Sequence, residues 1–303
     1  MNSLVLIFVC LALGKLLATK FAKSNFGSPT DFIRSLNMLV IQVALPCLIF
    51  DKMHAQEFSK NAIFPILSPV IVLIVTAIIV VLCGLKFKWS KATIGCLILL
   101  CGTSNTSFVG IPLLRALMGE DSIGIALWVD QANLLLLFTA GLVIANFCSG
   151  TENSASFIVK NLLLYRPVQA LILALILKPF PLPELITYNL SVFGGLLTPL
   201  TMIAVGASLR IPKESGIYKL FSIGLSIKLI IAPIAVYLIG YFLFKLDPTV
   251  FKISTLQSAM APMVTATIIA VDKNLHPELA NLLTGFGIPI SFISVTLWSL
   301  LAF

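Results

Sequence analysis

Asp130 stands in ALWVDQANLLLLF, flanked by Gln131 and Asn133 and otherwise by apolar side chains. A carboxylate deep in such a run is costly in hydrocarbon and marks a functional position by default. Three roles fit it: binding a proton or cation, orienting polar groups of a neighbouring helix, or closing a structural hydrogen bond or ion pair. Lys228 is its cationic counterpart, about ten residues into another apolar run, roughly 15 Å along a helix. That is too deep for easy snorkelling, so Lys228 either pairs with Asp130 or attracts an anionic solute. Arg115 sits nearer a run's end, where a snorkelling side chain or a vestibule charge is expected.

Two further segments carry polar groups where hydrocarbon is expected. ATIGCLILLCGTSNTSFVGIPLLRAL holds six consecutive small or polar residues from Gly102 to Ser107, among them Ser104, Asn105 and Thr106. Unsatisfied polar groups cost several kcal/mol in a membrane, so this stretch must line a protein interior or a water-filled cavity. Gly110 and Pro112 then suit the start of a new half-helix. TLQSAMAPMVTATIIAV repeats the pattern, with Gln257, Ser258 and Met260 before a break at Pro262 and Thr265 and Thr267 after it. A half-helix that begins inside a membrane turns its positive N-terminal end toward its break, and such an end favours an anion. The simpler reading is a pair of proline kinks in continuous helices.

The elements that must hold these residues are membrane helices. Of 303 residues 59% are hydrophobic and 11% charged, and mean hydropathy is +1.07, whereas soluble domains are about 25% charged. Apolar runs of about 18 or more residues cross a bilayer, and here they follow one another almost end to end. Spans are expected at Leu4–Thr19, Leu36–Met53, Ile63–Leu85, Thr93–Leu117, Ile123–Cys148, Leu162–Phe180, Leu185–Leu209, Tyr218–Phe244, Val250–Val271 and Leu279–Phe303. The first lacks a basic lead-in and reads as a retained span, not a signal peptide.

Residues 149–161 form a short connector on the cytoplasmic side between two five-span repeats, 1–148 and 162–303. An odd number of spans per repeat inverts the second half in the membrane. Pro46 in ALPCLIF and Pro199 in LTPLTMI stand at matching places in spans 2 and 7, and the polar breaks match in spans 4 and 9. Inverted repeats whose broken helices meet at the midplane recur in secondary transporters. With both termini outside, 13 Lys and Arg fall on the cytoplasmic side against six outside, the expected bias.

The six cysteines (Cys10, Cys47, Cys83, Cys96, Cys101, Cys148) lie in apolar segments and read as core residues, neither disulfides nor metal ligands. His54 and His276 fall in connectors, as solvated residues. No nucleophile–base set or metal cluster is discernible, so no enzyme, metal or cofactor is expected. The charge of +8 is spread over short connectors and does not indicate nucleic acid.

LPCLIF, SNTSFVGIPL, TPLTMIAVGASL and SAMAPMVT, in this order along the chain, resemble the auxin efflux carrier family within the wider bile acid, arsenite and riboflavin transporter group. The resemblance covers essentially the whole chain. It implies an all-α membrane fold of ten helices in two inverted five-helix repeats, akin to the sodium/proton antiporters, with broken helices 4 and 9 crossing at the substrate site. It also implies a homodimer in the cytoplasmic (inner) membrane. Asn105 and Thr106 match the family's break in span 4, and Met260 and Pro262 its break in span 9. Family members include plant auxin carriers and bacterial permeases for malate, malonate and similar acids.

Arg166-Pro167 stands where the family often has Asn-Pro, and Thr103 and Ser107 where it has Gly. The long loop of the plant carriers is missing, which favours a bacterial permease. The resulting expectation is an alternating-access carrier of a small organic anion, uncoupled or coupled to a proton or sodium. Its substrate site draws on Ser104, Asn105, Thr106, Gln257, Ser258, Met260, Pro262 and Lys228, and its ion site on Asp130, Gln131 and Asn133. An anion channel, or a sodium- or proton-coupled symporter of a bile acid-like solute, is the competing reading.

Overall fold

The computed structural model describes residues 2–22, 28–55, 62–150, 163–208, 217–244 and 247–301. Most of the connector read at 149–161 lies outside them, as do Lys23, Lys60, Lys160, Arg210, Lys213 and Lys245 of the charge count. All regular structure among the described residues is helical. Among the described residues, seven helices are long and apolar enough to cross a membrane: Thr30–Ala55, Ile63–Phe87, Lys91–Met118, Ser122–Ser149, Glu184–Ala207, Tyr218–Leu243 and Pro277–Leu300. At the three other expected positions stand Asn2–Phe21, the shorter Arg166–Leu177, and a pair of short helices, Pro248–Ser258 and Val264–Asp272, separated by a break. Large apolar side chains such as Phe147, Leu185 and Leu243 are turned outward, as suits a protein surrounded by lipid.

Proline shapes several of these helices. Pro46, Pro112 and Pro233 each follow a π-helical turn, Val40–Ala44, Thr106–Gly110 and Ile227–Ile231. A proline has no N–H for the carbonyl four residues back, and the ladder widens just before it. Leu45 N–H accordingly reaches back to the Val40 carbonyl, and Ala232 N–H to that of Ile227. The carbonyl that Pro233 leaves free, Leu229, accepts from Ser294 Oγ at 3.2 Å and Trp298 Nε1 at 3.0 Å. Ser68 Oγ serves Pro65 in the same way, four residues before Pro69.

The chain packs into two units. The first comprises Met1–Phe58, Ser107–Leu127 and Lys160–Arg210, and the second Ser59–Thr106, Trp128–Val159 and Ile211–Phe303. Each draws on both halves of the sequence. Spans 1, 2, 6 and 7 fall in the first, and spans 3, 8, 9 and 10, with the break of span 4 and most of span 5, in the second.

In the first unit, Asn2–Phe21 packs on Leu197–Ser208 through reciprocal glycines. A Cβ on Gly14 would collide with the Ile203 carbonyl, and one on Gly206 with that of Leu11. Such small residues let membrane helices approach backbone to backbone. His54 departs from the expected solvated connector residue. It lies in the last turn of Leu45–Ala55, and its Nε2 stands 3.1 Å from the Leu177 carbonyl and 3.0 Å from that of Phe180. The Leu177 carbonyl, the last of its helix, accepts from Phe180 N–H at 2.9 Å, and the imidazole meets it and the Phe180 carbonyl just beyond the helix. Arg115 is ion-paired to Glu120 at 2.8 Å and donates to Thr198 Oγ1 at 3.1 Å.

Candidate functional site

The second unit is built around the first half of span 4. Its helix Lys91–Gly102 begins at Ser90, whose side chain accepts from Thr93 N–H, and stops at Thr103, where the backbone turns extended. Burial singles this span out: 94% of its apolar window is buried, against 28–50% for the other six. Thr103, Ser104, Asn105 and Thr106 are all 4% exposed or less, so this polar stretch does line an interior.

An interrupted helix strands backbone groups, and neighbouring segments of the chain take them up. Asn133, one turn past Asp130 on span 5, accepts from Ser104 N–H at 3.2 Å and donates to Ser104 C=O at 2.7 Å. Its amide is fully used as a clamp on the break, and its remaining N–H contact is a 3.6 Å approach to Met263 Sδ. Asn105 N–H donates to Ala261 C=O at 2.8 Å. This bond joins the break of span 4 to that of span 9, which runs from Ala259 to Met263 between Pro248–Ser258 and Val264–Asp272. Ala261, Met263 and Thr76, which donates to Cys101 C=O, escaped sequence reasoning. The first two act through backbone or sulfur, which carries no compositional signal. Thr76 is a lone polar residue in an apolar span and was in principle visible.

Lys228 is fully buried. Its ammonium donates to Ser104 Oγ at 2.5 Å and Ser258 C=O at 3.2 Å. Asp130 is therefore not its ion-pair partner. Ser258 ends the first half-helix of span 9, and Ser104 lies just beyond the end of Lys91–Gly102. The cation thus sits where two helix C-termini present their negative ends. With three donors on an ammonium and two bonds made, one N–H is left for another acceptor.

Asp130 occupies the opposite polarity. Its carboxylate accepts from Thr106 Oγ1 at 2.5 Å, at the N-terminal start of the continuing span 4, and from Gln131 Nε2 at 3.0 Å. A resident carboxyl group therefore stands at the end where an anionic solute was expected. The corresponding N-terminus in span 9, at Val264, has no side-chain cap.

Ser104, Asn105, Thr106, Asp130, Gln131, Asn133, Lys228 and Ser258 thus form one linked set with the break of span 9. Gln257 adjoins Ser258, and Met260 and Pro262 are buried in the break itself. Gly110 and Pro112, read as marking the half-helix start, lie in the first unit, Gly110 closing the π-turn and Pro112 in the first turn of Ile111–Met118. Four side-chain atoms of this set are buried without a hydrogen-bond partner: Asn105 Nδ2, Gln131 Oε1 and both amide atoms of Gln257. Each such atom costs about 1–3 kcal/mol, a cost that a polar ligand removes.

A family model described as membrane transport protein matches residues 1–299. The chain is 27% identical over 276 residues to an uncharacterized transporter of Methanothermobacter thermautotrophicus, covering 88% of this chain and 87% of that one. It is 26% identical over 282 residues to an uncharacterized transporter of Methanocaldococcus jannaschii, at 88% and 89% coverage.

Proposed function

The chain belongs to the membrane transport protein family, that of the auxin efflux carriers, and from this premise we propose that it is a carrier moving a small organic anion, such as a carboxylate, by alternating access. The observation that carries the reading is Asn105. Its backbone N–H is bonded to Ala261 in the break of span 9 while its side-chain Nδ2 stays buried and unpartnered. Ala261 lies three residues before the uncapped N-terminus at Val264, whose partial positive charge favours an anion. Gln257 Nε2 and the third N–H of Lys228 supply further donors, and a carboxylate accepts from several at once.

Asp130, held by Thr106 and Gln131, serves as the proton or cation site that couples the cycle. Alternating access fits a chain that packs as two units, each drawing on both halves of the sequence. The ten-helix inverted repeat, both termini outside, the inner membrane and a homodimer complete the proposal. We propose transport without catalysis, on the ground of the family to which the chain belongs.

The test is uptake of labelled malate, malonate and indole acetate into proteoliposomes, with competition by a broad set of organic acids. Saturable uptake that Asn105→Ala and Lys228→Met weaken roughly tenfold or more, about 1.4 kcal/mol of lost interaction, is expected. If no organic anion moves or competes, the anion assignment fails. Flux that never saturates, with single-channel currents, favours a channel instead.

A further inference from the structure

Four lysines converge at one end of the second unit. Lys86 closes Ile63–Phe87, Lys88 follows it in the left-handed conformation at φ 53°, Lys91 opens Lys91–Gly102, and Lys219 opens the helix at Tyr218. Lys86 and Lys219 come from different spans yet both stand over the Phe87 ring, their Nζ atoms 5.7 and 5.3 Å from its centroid. No more than about 11 Å can separate the two charges, close to the screening length of ~8 Å at physiological salt. Trp89 stacks on Phe87 at 5.9 Å, and Lys91 stands 5.6 Å from the Phe147 ring.

Among the described residues no carboxylate is ion-paired to this cluster. Residues 84–98 and 217–230 contain no Asp or Glu. Asp272 and Glu278 lie on the helices that pack against Lys91–Gly102, and neither is ion-paired to any of the four lysines among the described residues. Lys91 moreover sits in the first turn of its helix, where the dipole is already positive. Exposed lysines interleaved with Phe and Trp at the ends of apolar helices are the composition of a membrane–water interface.

The same face of span 8 leads from this cluster into a groove. Ser226 lies seven residues beyond Lys219, two turns up the helix, or about 10 Å. Ser226, Leu229, Ile230, Ile293, Leu297 and Trp298 line a largely apolar groove of about 510 Å³ between span 8 and the last helix. Ile230, Ile293 and Leu297 are about half exposed or more.

We propose that this cluster is the headgroup site of an anionic phospholipid whose acyl chain lies in the groove of span 8. The four ammonium groups meet the phosphate, Phe87 and Trp89 pack at the glycerol level, and the groove covers a tail. A second copy docked on this face by two-fold symmetry would bring like charges toward one another, which disfavours a dimer here.

Native mass spectrometry and thermal shift of the purified protein test this, with phosphatidylglycerol and phosphatidylcholine as probes. Phosphatidylglycerol should be retained and stabilising, phosphatidylcholine not. Each Lys→Gln at 86, 88, 91 or 219 should weaken retention about fivefold, corresponding to the ~1 kcal/mol carried by a lysine near an anionic surface. Ile293→Trp, which fills the groove, should lower retention with the cluster intact. The proposal is overturned if the quadruple variant retains phosphatidylglycerol like the wild type. It also fails if a control variant lacking Lys20, Arg34, Lys52 and Lys178 loses the lipid equally, if inorganic phosphate gives the same stabilisation, or if Ile293→Trp dissociates a dimer and leaves lipid retention unchanged. All eight charge changes lie on exposed or half-exposed residues, and elution at the wild-type volume checks the fold.

Discussion

Asp130→Asn separates a structural carboxylate from a coupling one. The substitution keeps the side chain's shape, and Thr106 Oγ1 can still donate to the remaining oxygen. The new amide nitrogen would face Gln131 Nε2, now 3.0 Å from Oδ2, donor against donor. Gln131 resolves this by turning its amide over, because its Oε1 has no other partner. Two charge-assisted bonds, each worth about 1.5–3 kcal/mol, thus become neutral bonds of about 0.5–1.5 kcal/mol. The resulting loss of ~2–3 kcal/mol is partly offset because a neutral amide costs less to bury than a carboxylate.

The variant should therefore fold, destabilised by no more than ~2 kcal/mol. If Asp130 takes up a proton or cation in each cycle, labelled-anion uptake should lose its dependence on pH and sodium and slow roughly tenfold, about 1.4 kcal/mol in the barrier. Proteoliposome uptake across the acidic-to-neutral range, with sodium replaced by choline, measures both. Unchanged rate and unchanged pH and sodium dependence would refute the coupling role and leave a uniporter driven by the anion gradient and membrane potential. A variant that fails to fold would refute the accounting of hydrogen bonds.

Other substitutions probe the frame around the site. Asn133→Leu strands the buried N–H of Ser104, at about 1–3 kcal/mol, while the Ser104 C=O keeps Thr106 N–H at 2.9 Å; denaturation in mixed micelles should show a loss of ~1–3 kcal/mol, and no measurable loss would mean that water or another group takes over. Gly206→Val drives a side chain into the Leu11 carbonyl, so overpacking should cost at least ~1–3 kcal/mol, read as lower yield and earlier thermal unfolding; Gly195, whose Cβ would meet nothing within 4 Å, should accept Ala with little change. Trp298→Phe takes one of two donors from the Leu229 carbonyl and leaves Ser294, so a loss of only ~0.5–1.5 kcal/mol is expected by the same denaturation assay. Combining it with Ser294→Ala should cost more than the sum of the single changes, since only then is the carbonyl stranded.

Features set by composition against the bilayer were legible in the sequence. Apolar runs of membrane length, a carboxylate and an ammonium too deep for water, and the polar stretches at Ser104 and around Pro262 all follow from local chemistry, because hydrocarbon penalises every unpaired polar group wherever it occurs. The same reasoning located the interruptions of spans 4 and 9, since a proline or a run of small polar residues disturbs its own helix irrespective of its neighbours. Partnership was not legible in this way. Lys228 and Ser104 are 124 residues apart in the chain, and whether that ammonium meets Ser104, Ser258 or Asp130 depends on the azimuth and height of three helices, which a π-turn at Ile227–Ile231 shifts further. Asn133 reads in sequence as one more polar neighbour of Asp130, whereas packing turns its amide onto the backbone of Ser104. His54 reads as a solvated residue until Arg166–Leu177 ends beside it and brings the Leu177 and Phe180 carbonyls within reach. Sequence determines what cannot be left unpaired in a membrane, and only the tertiary structure decides with what it pairs, because partners are brought together by long-range packing of helices whose own hydrogen bonds are already complete.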